Sequence, residues 1–346
     1  MLLTNEEIKS QTRRLWKDCF HDSEEFMDIY FEEKYSDDSN ISLYPDGEVA
    51  GAVQALPYRM TYYGAVASAG YLSGLAVKES YRKKGMAKAL LHDAHRRLYS
   101  KGATLSFLIP TTESLRHFYE NPEHGSYWTA VYRKLEEIKV TGEIDSKIEI
   151  TQPDEWGQDL YVYYHRNTMN QPFMFHPSEN DFFAALADCD LSGGLVLVAR
   201  RKRKLMGICL AIVEPDGKCV LRCLLSSDES IKDCFISYLK EKLGVDQVFA
   251  RIAVAGSTPG AEPYAMARVI NVEKFLQTVV QIYPSFELHI GVGEDRDIPE
   301  NNGYYRVKDG KVVVTDECPD SIVTPGGLAA MFIAAHPMIC EMMLDE

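Results

Sequence analysis

The sequence predicts an α+β protein built on mixed sheets, in tandem lobes followed by a small α+β module. Three observations carry that expectation. The first third runs helix–helix, a set of strands, then strand–helix–strand–helix–strand. The middle third repeats that order faintly, without obvious identity between the two copies. After a turn-rich break at Gly256-Ser257-Thr258-Pro259-Gly260 comes a shorter mixture of strands and helices.

Each element has a local reason. Glu6 to Cys19 spaces Ile8, Leu15 and Trp16 as a loose helical face, and Asp22 or Ser23 is placed to cap a second helix through Phe26, Ile29, Tyr30 and Phe31. Ile41–Tyr44 and Val49–Leu56 flank Pro45-Asp46-Gly47 as a hairpin. Met60–Tyr63 and Val66–Val77 continue the strand pattern. Gly85–Leu98 puts Met86, Leu90, Leu91 and Ala94 on one helical side. Thr104–Ile109 reads as a short strand, Leu115–Tyr119 as a short helix and Trp128–Leu135 as a strand. A charged stretch, Glu136 to Lys147, then separates the first lobe from the second.

In the middle third, Leu160–Arg166 and Asn180–Ala187 suggest helices. Gly194–Arg200 and Met206–Val213 suggest a hairpin around Arg201–Lys204. Cys219–Leu225, Ile231–Leu243 and Gln247–Ile252 read as strand, helix and strand. Beyond the break, Ala265–Ile270, Phe286–Val292, Gly303–Val307 and Lys311–Val314 read as strands, with helices at Val272–Ile282 and Thr324–Ala335.

Composition narrows the function classes. The chain has 346 residues, 46% hydrophobic and 25% charged, which is a globular balance with room for two or three domains. A net charge of -14 disfavours nucleic acid, whose phosphates need a basic face, and fits a cationic acceptor or plain solubility. No apolar run approaches the ~20 residues of a membrane span. Met1 to Arg14 is too polar for a secretory leader, so a cytoplasmic setting is expected. The eight cysteines form no C-x-x-C pair and no metal-ligand spacing, so reduced thiols and no metal are expected.

The chemistry-bearing segment is Leu75-Ala76-Val77-Lys78-Glu79-Ser80-Tyr81-Arg82-Lys83-Lys84-Gly85-Met86-Ala87. A strand ends, a basic turn follows and a helix begins. The N–H groups of a first helical turn have no internal partner, and the helix dipole favours an anion there. Gly85 has no Cβ to block the approach, and Ala87 keeps the next position open. Arg82, Lys83 and Lys84 add positive charge. The segment therefore reads as a pyrophosphate cradle. It matches neither the P-loop nor the dinucleotide fingerprint.

This segment resembles motif A of the GNAT acetyltransferase superfamily, Arg/Gln-x-x-Gly-x-Gly/Ala, and the resemblance covers roughly residues 1–135. It implies a GNAT acyl-CoA N-acyltransferase fold, with acetyl-CoA as the acyl-donor cosubstrate. The pantetheine would run along Leu75, Ala76 and Val77. The pyrophosphate would sit on Arg82, Lys83, Lys84, Gly85, Met86 and Ala87. Leu105–Ile109 and a helix opening at Ser114 would complete the cofactor site.

The layout narrows the resemblance to the enhanced-intracellular-survival (Eis) type. Its third module resembles a sterol carrier protein, to which Met266–Val272, Asn301–Val307 and Leu328–Phe332 are similar. The implied domains are 1–140 (catalytic), 141–256 (a degenerate second lobe lacking the Arg-x-x-Gly pattern) and 257–346 (sterol-carrier-like). The resemblance also implies a homo-oligomer.

Transfer to an amine requires a base for the acceptor, stabilisation of the oxyanion and an acid for the leaving thiolate. The resemblance makes Tyr119 the expected acid, with Tyr127 as its rival and aromatic packing as the other role. It makes the carboxylate of Glu346 the expected base. The alternative for the tail Met342–Glu346 is a solvated end. His92 and His95, three apart, read as surface residues. Trp16, Phe20, Phe26, Tyr30 and Phe31 read as a core face. The acceptor class is an aminoglycoside-like polyamine, a lysine or a small amine. The different-class alternative is a non-catalytic acyl-CoA or lipid sensor.

Overall fold

The computed structural model describes residues 3–344. The chain divides into two compact units. The first gathers the chain up to Tyr132, then Pro172–Phe175 and Val254–Met338; the second gathers Arg133–Gln171, His176–Ala253 and the chain from Ile339 on.

The N-terminal elements are α1 (Asn5–Phe20), α2 (Glu24–Ile29), β1 (Asn40–Leu43), β2 (Gly51–Tyr62), β3 (Ala65–Val77), α3 (Met86–Ser100), β4 (Leu105–Leu108), α4 (Glu113–Glu120) and β5 (Trp128–Glu137). Thr4 and Glu7 close a capping box on α1, and Ser23 caps α2. The second helix does not run on regularly to Phe31. Tyr30–Lys34 widens into a π turn. That turn packs Tyr30 and Phe31 against Trp16, with ring centroids 4.3 and 5.8 Å away. Phe20, expected on the same face, is 40% exposed because α1 ends there in a left-handed cap at His21.

In the first unit β1–β2 and β2–β3 are antiparallel and β3–β4 is parallel. Helix α3 is the crossover between β3 and β4, burying Leu90, Leu91, Ala94 and Leu98. The register of β3 on β4 is set by three pairs, Ala69↔Leu105 to Tyr71↔Phe107, and β3 then continues to Val77. The register on β2 shifts between Ala52 and Gln54. Gly74 lies opposite that irregularity at φ +62, and a Cβ there would sit 2.0 Å from the Trp16 ring. Only glycine fits both constraints.

The middle elements are β6 (Glu149–Thr151), α5 (Gln158–Thr168), β7 (Phe173–His176), α6 (Glu179–Leu191), β8 (Leu195–Arg201), β9 (Lys204–Val213), β10 (Cys219–Ser226), α7 (Glu229–Leu243) and β11 (Val248–Val254). Strand β7, which the sequence pattern misses, pairs with β2. In the second unit β8–β9 and β9–β10 are antiparallel, and β10–β11 is parallel around α7. Helix pair, antiparallel strands and a parallel crossover thus recur in the same order, so the fold holds tandem lobes of one topology.

The last elements are β12 (Glu262–Val269), α8 (Val272–Ile282), β13 (Leu288–Val292), β14 (Gly303–Lys308), β15 (Lys311–Thr315), β16 (Ile322–Val323) and α9 (Pro325–Ile333). Of the segment 257–346, the part up to Met338 belongs to the first unit and the part from Ile339 on to the second. Strand β12 pairs antiparallel with β4, Met266 opposite Leu108. Ala265 to Val269 are fully buried, which a strand achieves only when both faces are covered. A small sheet, β15-β14-β13-β16, completes the first unit, with α8 burying Val272, Phe275, Leu276, Val279 and Val280 at helical spacing.

The solvated-tail alternative is corrected as far as Leu344. Cys340, Met342, Met343 and Leu344 are each 3% exposed. Glu341 accepts the Tyr164 hydroxyl at 3.2 Å inside the second unit. The apolar side chains bury the chain as far as Leu344. Among the described residues no helix is long and apolar enough to cross a membrane.

Candidate active site

The loop from Val77 to Gly85 is built to leave a helix end open. Glu79–Tyr81 forms a single 3-10 turn, and Arg82 Nε donates to the Val77 carbonyl at 3.1 Å, pinning the loop to the strand end. Lys83 and Gly85 both adopt left-handed backbone, at φ +61 and +82. Gly85 is the N-cap of α3 and offers no side-chain oxygen to the helix. The first N–H to bond back to Gly85 O is that of Ala89, at 3.0 Å, so the N–H groups before it have no helical partner. A Cβ on Gly85 would meet nothing within 4 Å.

A cavity of about 250 Å³ opens at this helix end. Of the residues expected to hold the cofactor, Val77, Arg82, Lys83, Gly85, Met86 and Ala87 line it. Leu75 and Lys84 do not: Leu75 packs on the hydrophobic core, and the Lys84 ammonium lies 5.5 Å from the Tyr81 ring centroid. Ala76 is buried at 3% exposure, and Ser114 is exposed in the first turn of α4, capped by Thr112. Lys88, Phe118 and His124 also line the cavity and were not singled out by sequence. Lys88 had a readable signal, a basic residue in the first turn of the motif helix. The His124 ring stacks on Phe118 at 4.1 Å, a contact across a loop that no local pattern encodes.

The fit to an anionic ligand rests on chemistry visible in the chain. An unblocked helix N-terminus, a left-handed glycine facing open space and basic side chains all favour a phosphate group. The equivalent helix of the second lobe differs. Helix α7 follows β10 after Ser227 and Asp228 alone, and Asp228 Oδ1 accepts from the Ile231 N–H at 3.1 Å and from Ser230 Oγ at 2.7 Å. That helix end is occupied by the chain's own carboxylate.

The two tyrosines occupy different environments. Tyr119 stands near the end of α4, next to cavity-lining Phe118, with ring centroids 5.2 Å apart. It is 8% exposed, and burial pushes its hydroxyl up to about 12, so it is a neutral donor at neutral pH. Among the described residues none hydrogen-bonds to that hydroxyl. Tyr127 is sealed: its hydroxyl lies 2.8 Å from His95 Nε2 and 2.8 Å from Ser106 Oγ. Burial raises its pKa as well. Glu346 lies outside the described residues.

The surface reading of His95 is corrected. Its side chain is fully buried, because the face of α3 that carries it packs against residues 295–297 instead of solvent. His95 Nδ1 lies 2.6 Å from Asp297 Oδ2. Burial, reinforced by the charge of Arg268, lowers its pKa to about 4 against the opposing pull of Asp297 and Asp295. Burial acting on Asp297 would raise that carboxyl, but the His95 hydrogen bond and Arg268 outweigh it and hold it at about 2. A neutral His95 therefore donates from Nδ1 to ionised Asp297 and accepts the Tyr127 hydroxyl at Nε2. His92 Nδ1 sits 3.2 Å from the same carboxylate. Among the described residues no group of three His, Cys, Asp or Glu is placed to hold a metal.

This network has a pH consequence. The folded chain refuses a proton that unfolded His95 takes up between its ordinary 6.5 and about 4. Stability therefore rises with pH through that window and is lost on acidification, by about 3 kcal/mol from this residue. Denaturant unfolding from pH 7 to 4 should show that slope in wild type, and His95→Gln should flatten it. An unchanged slope in the variant would refute the assignment.

Comparison with known proteins bears on this geometry. Residues 2–123 match the family model for the acetyltransferase (GNAT) domain. The N-terminal lobe is a GNAT acetyltransferase domain. Enzymes with that domain take acetyl-CoA as cosubstrate. None of the curated proteins matches it. Among solved structures it is similar to a GCN5-related N-acetyltransferase from Anabaena variabilis. The TM-score is 0.73 at 18% identity, over 96% of this chain and 88% of that one. It is also similar to a probable N-acyltransferase from Enterococcus faecalis, with TM-score 0.72, 15% identity and coverage of 97% and 89%. A third similar structure is Eis1 from Mycobacterium abscessus, with TM-score 0.72, 14% identity and coverage of 96% and 88%. At these identities the structural likeness establishes the fold.

Proposed function

We propose that the chain transfers the acetyl group of acetyl-CoA to an amine acceptor, with the pyrophosphate held on Lys83 to Ala87. The observation that carries this reading is the cavity at the uncapped start of α3, with Gly85 left-handed and facing open space. Catalysis then needs few parts. The acceptor nitrogen attacks the thioester carbon, the oxyanion collapses and the CoA thiolate leaves as a thiol. Tyr119 supplies the proton to the sulfur. A carboxylate of Glu346 removes the proton from the amine. Tyr127 is a support for the site, since its hydroxyl proton is committed to His95 and it accepts from Ser106.

The Eis-type reading is supported by the tandem lobes and by the likeness to Eis1. A homo-oligomeric state and a sterol-carrier-like third module rest on the resemblance. The acceptor class is a cationic amine, aminoglycoside-like, lysine or small polyamine, favoured by the net charge of -14.

Thiol release from acetyl-CoA, measured over a panel of polyamines, aminoglycosides and lysine peptides, tests the proposal. Release that depends on at least one amine is expected. Tight acetyl-CoA binding with no amine-dependent release would replace the enzyme reading with that of a sensor. In the same assay, deleting residues 344–346 should lower turnover most at low pH, where few amines are already neutral. An unchanged pH–rate profile would remove Glu346 as base.

A further inference from the structure

Three consecutive residues, Asp295, Arg296 and Asp297, bond to Arg268, to Glu123 and to α3, behind the residues that line the cavity. Asp295 takes Arg268 Nη2 at 2.6 Å, and Arg268 Nη1 donates to the Gly125 carbonyl at 2.8 Å. Arg296 pairs with Glu123, which also pairs with cavity-lining Lys88. Asp297 binds His95 at 2.6 Å and His92 at 3.2 Å on the face of α3 that packs against residues 295–297. Arg268 is 1% exposed and the Asp295 side chain 0%, so this is a desolvated ion pair whose separation would leave a buried charge. His124 lies between Glu123 and Gly125. It is thus tied on both sides while its ring rests on Phe118 and faces the cavity. Neither Arg268 nor any residue of 295–297 lines the cavity.

We propose that Asp295, Arg296, Asp297 and Arg268 are positioning residues for the acyl donor. They fix the 121–127 loop against the start of α3 and so set the width of the cavity between His124, Lys88 and Gly85. The proposal rests on the cavity's being the acyl-CoA site. A segment far along the chain then tunes donor affinity without touching the donor.

Electrostatics and positioning make opposite forecasts for one variant. Glu123→Gln removes a negative charge beside an anion site, so charge alone would tighten acetyl-CoA binding. Positioning requires the same change to weaken binding, because it cuts the link from Arg296 to the loop. Acetyl-CoA should be titrated by calorimetry into the full chain and into Glu123→Gln, Arg296→Ala and their double variant, with a thermal melt of each. Both partners are largely solvent-accessible, with side chains 40% and 61% exposed, so folding should hold.

Each single variant should bind about two- to fivefold more weakly, the scale of one exposed pair, and the double variant no more weakly than either. Asp297→Asn, whose carbonyl still accepts from His95, should bind within about threefold of wild type, and Asp297→Ala at least about tenfold more weakly. If Asp297→Ala does not fold, the Glu123 and Arg296 pair still decides. Glu123→Gln binding as tightly as wild type, or more tightly, overturns the positioning role. A wild-type chain that binds no acetyl-CoA overturns the donor-site reading, and the positioning role with it.

Discussion

Tyr119→Phe should lower amine-dependent turnover by about 10²–10⁴-fold, the usual worth of general acid–base assistance, while acetyl-CoA binding stays near wild type. The substitution keeps the ring, its contact with Phe118 and its place on α4. It removes only a hydroxyl that no described residue engages, so little stability should be lost. Tyr127→Phe should do the reverse. It strands His95 Nε2 and Ser106 Oγ inside the core, at about 1–3 kcal/mol for the groups left unpaired. Turnover per folded molecule should hold. Steady-state rates at saturating acetyl-CoA, set beside thermal melts, separate the two. A fully active Tyr119→Phe with a dead but folded Tyr127→Phe would exchange their roles.

The second large effect is expected at the cradle. Gly85→Asp should weaken acetyl-CoA binding by about 10²–10³-fold, because a like charge set against a phosphate costs several kcal/mol. The control is Gly85→Asn, similar in size, uncharged and comparatively tolerant of left-handed backbone. The position is at φ +82 and a Cβ there meets nothing within 4 Å, so neither variant should disturb packing. Binding of Gly85→Asn should fall far less than that of Gly85→Asp. Equal affinity in wild type and Gly85→Asp would move the pyrophosphate elsewhere.

The motif helix and its basic turn were legible because the chemistry is local. A strand end, a helix start and a glycine lie within a dozen residues, and periodicity places all three. The same holds for the second lobe, whose hairpin, strand and helix are marked by short-range patterns. What was not legible depends on contacts distant in sequence. Strand β12 reads as an ordinary strand, and nothing in it says that it pairs with β4. His95 reads as a surface residue because the carboxylate that buries it, Asp297, arrives from 202 positions away. The π turn at Tyr30–Lys34 escapes a helical template because the apolar spacing of Phe26, Tyr30 and Phe31 suits either geometry. The chain end reads as polar from Asp345 and Glu346, while the buried Met342, Met343 and Leu344 argue the other way. His124 and Phe118 form a cavity wall only after the loop between them has folded.

The central claim is that one lobe, and not its structural repeat, holds the acyl donor. Helix α3 begins at an open glycine and α7 at an aspartate that caps its own N–H groups. Calorimetric titration of the full chain with acetyl-CoA tests this most directly. The account predicts one site per chain, abolished by Gly85→Asp and untouched by Asp228→Asn, which keeps a capping oxygen on α7. Two equivalent sites, or a single site that survives Gly85→Asp, would contradict it.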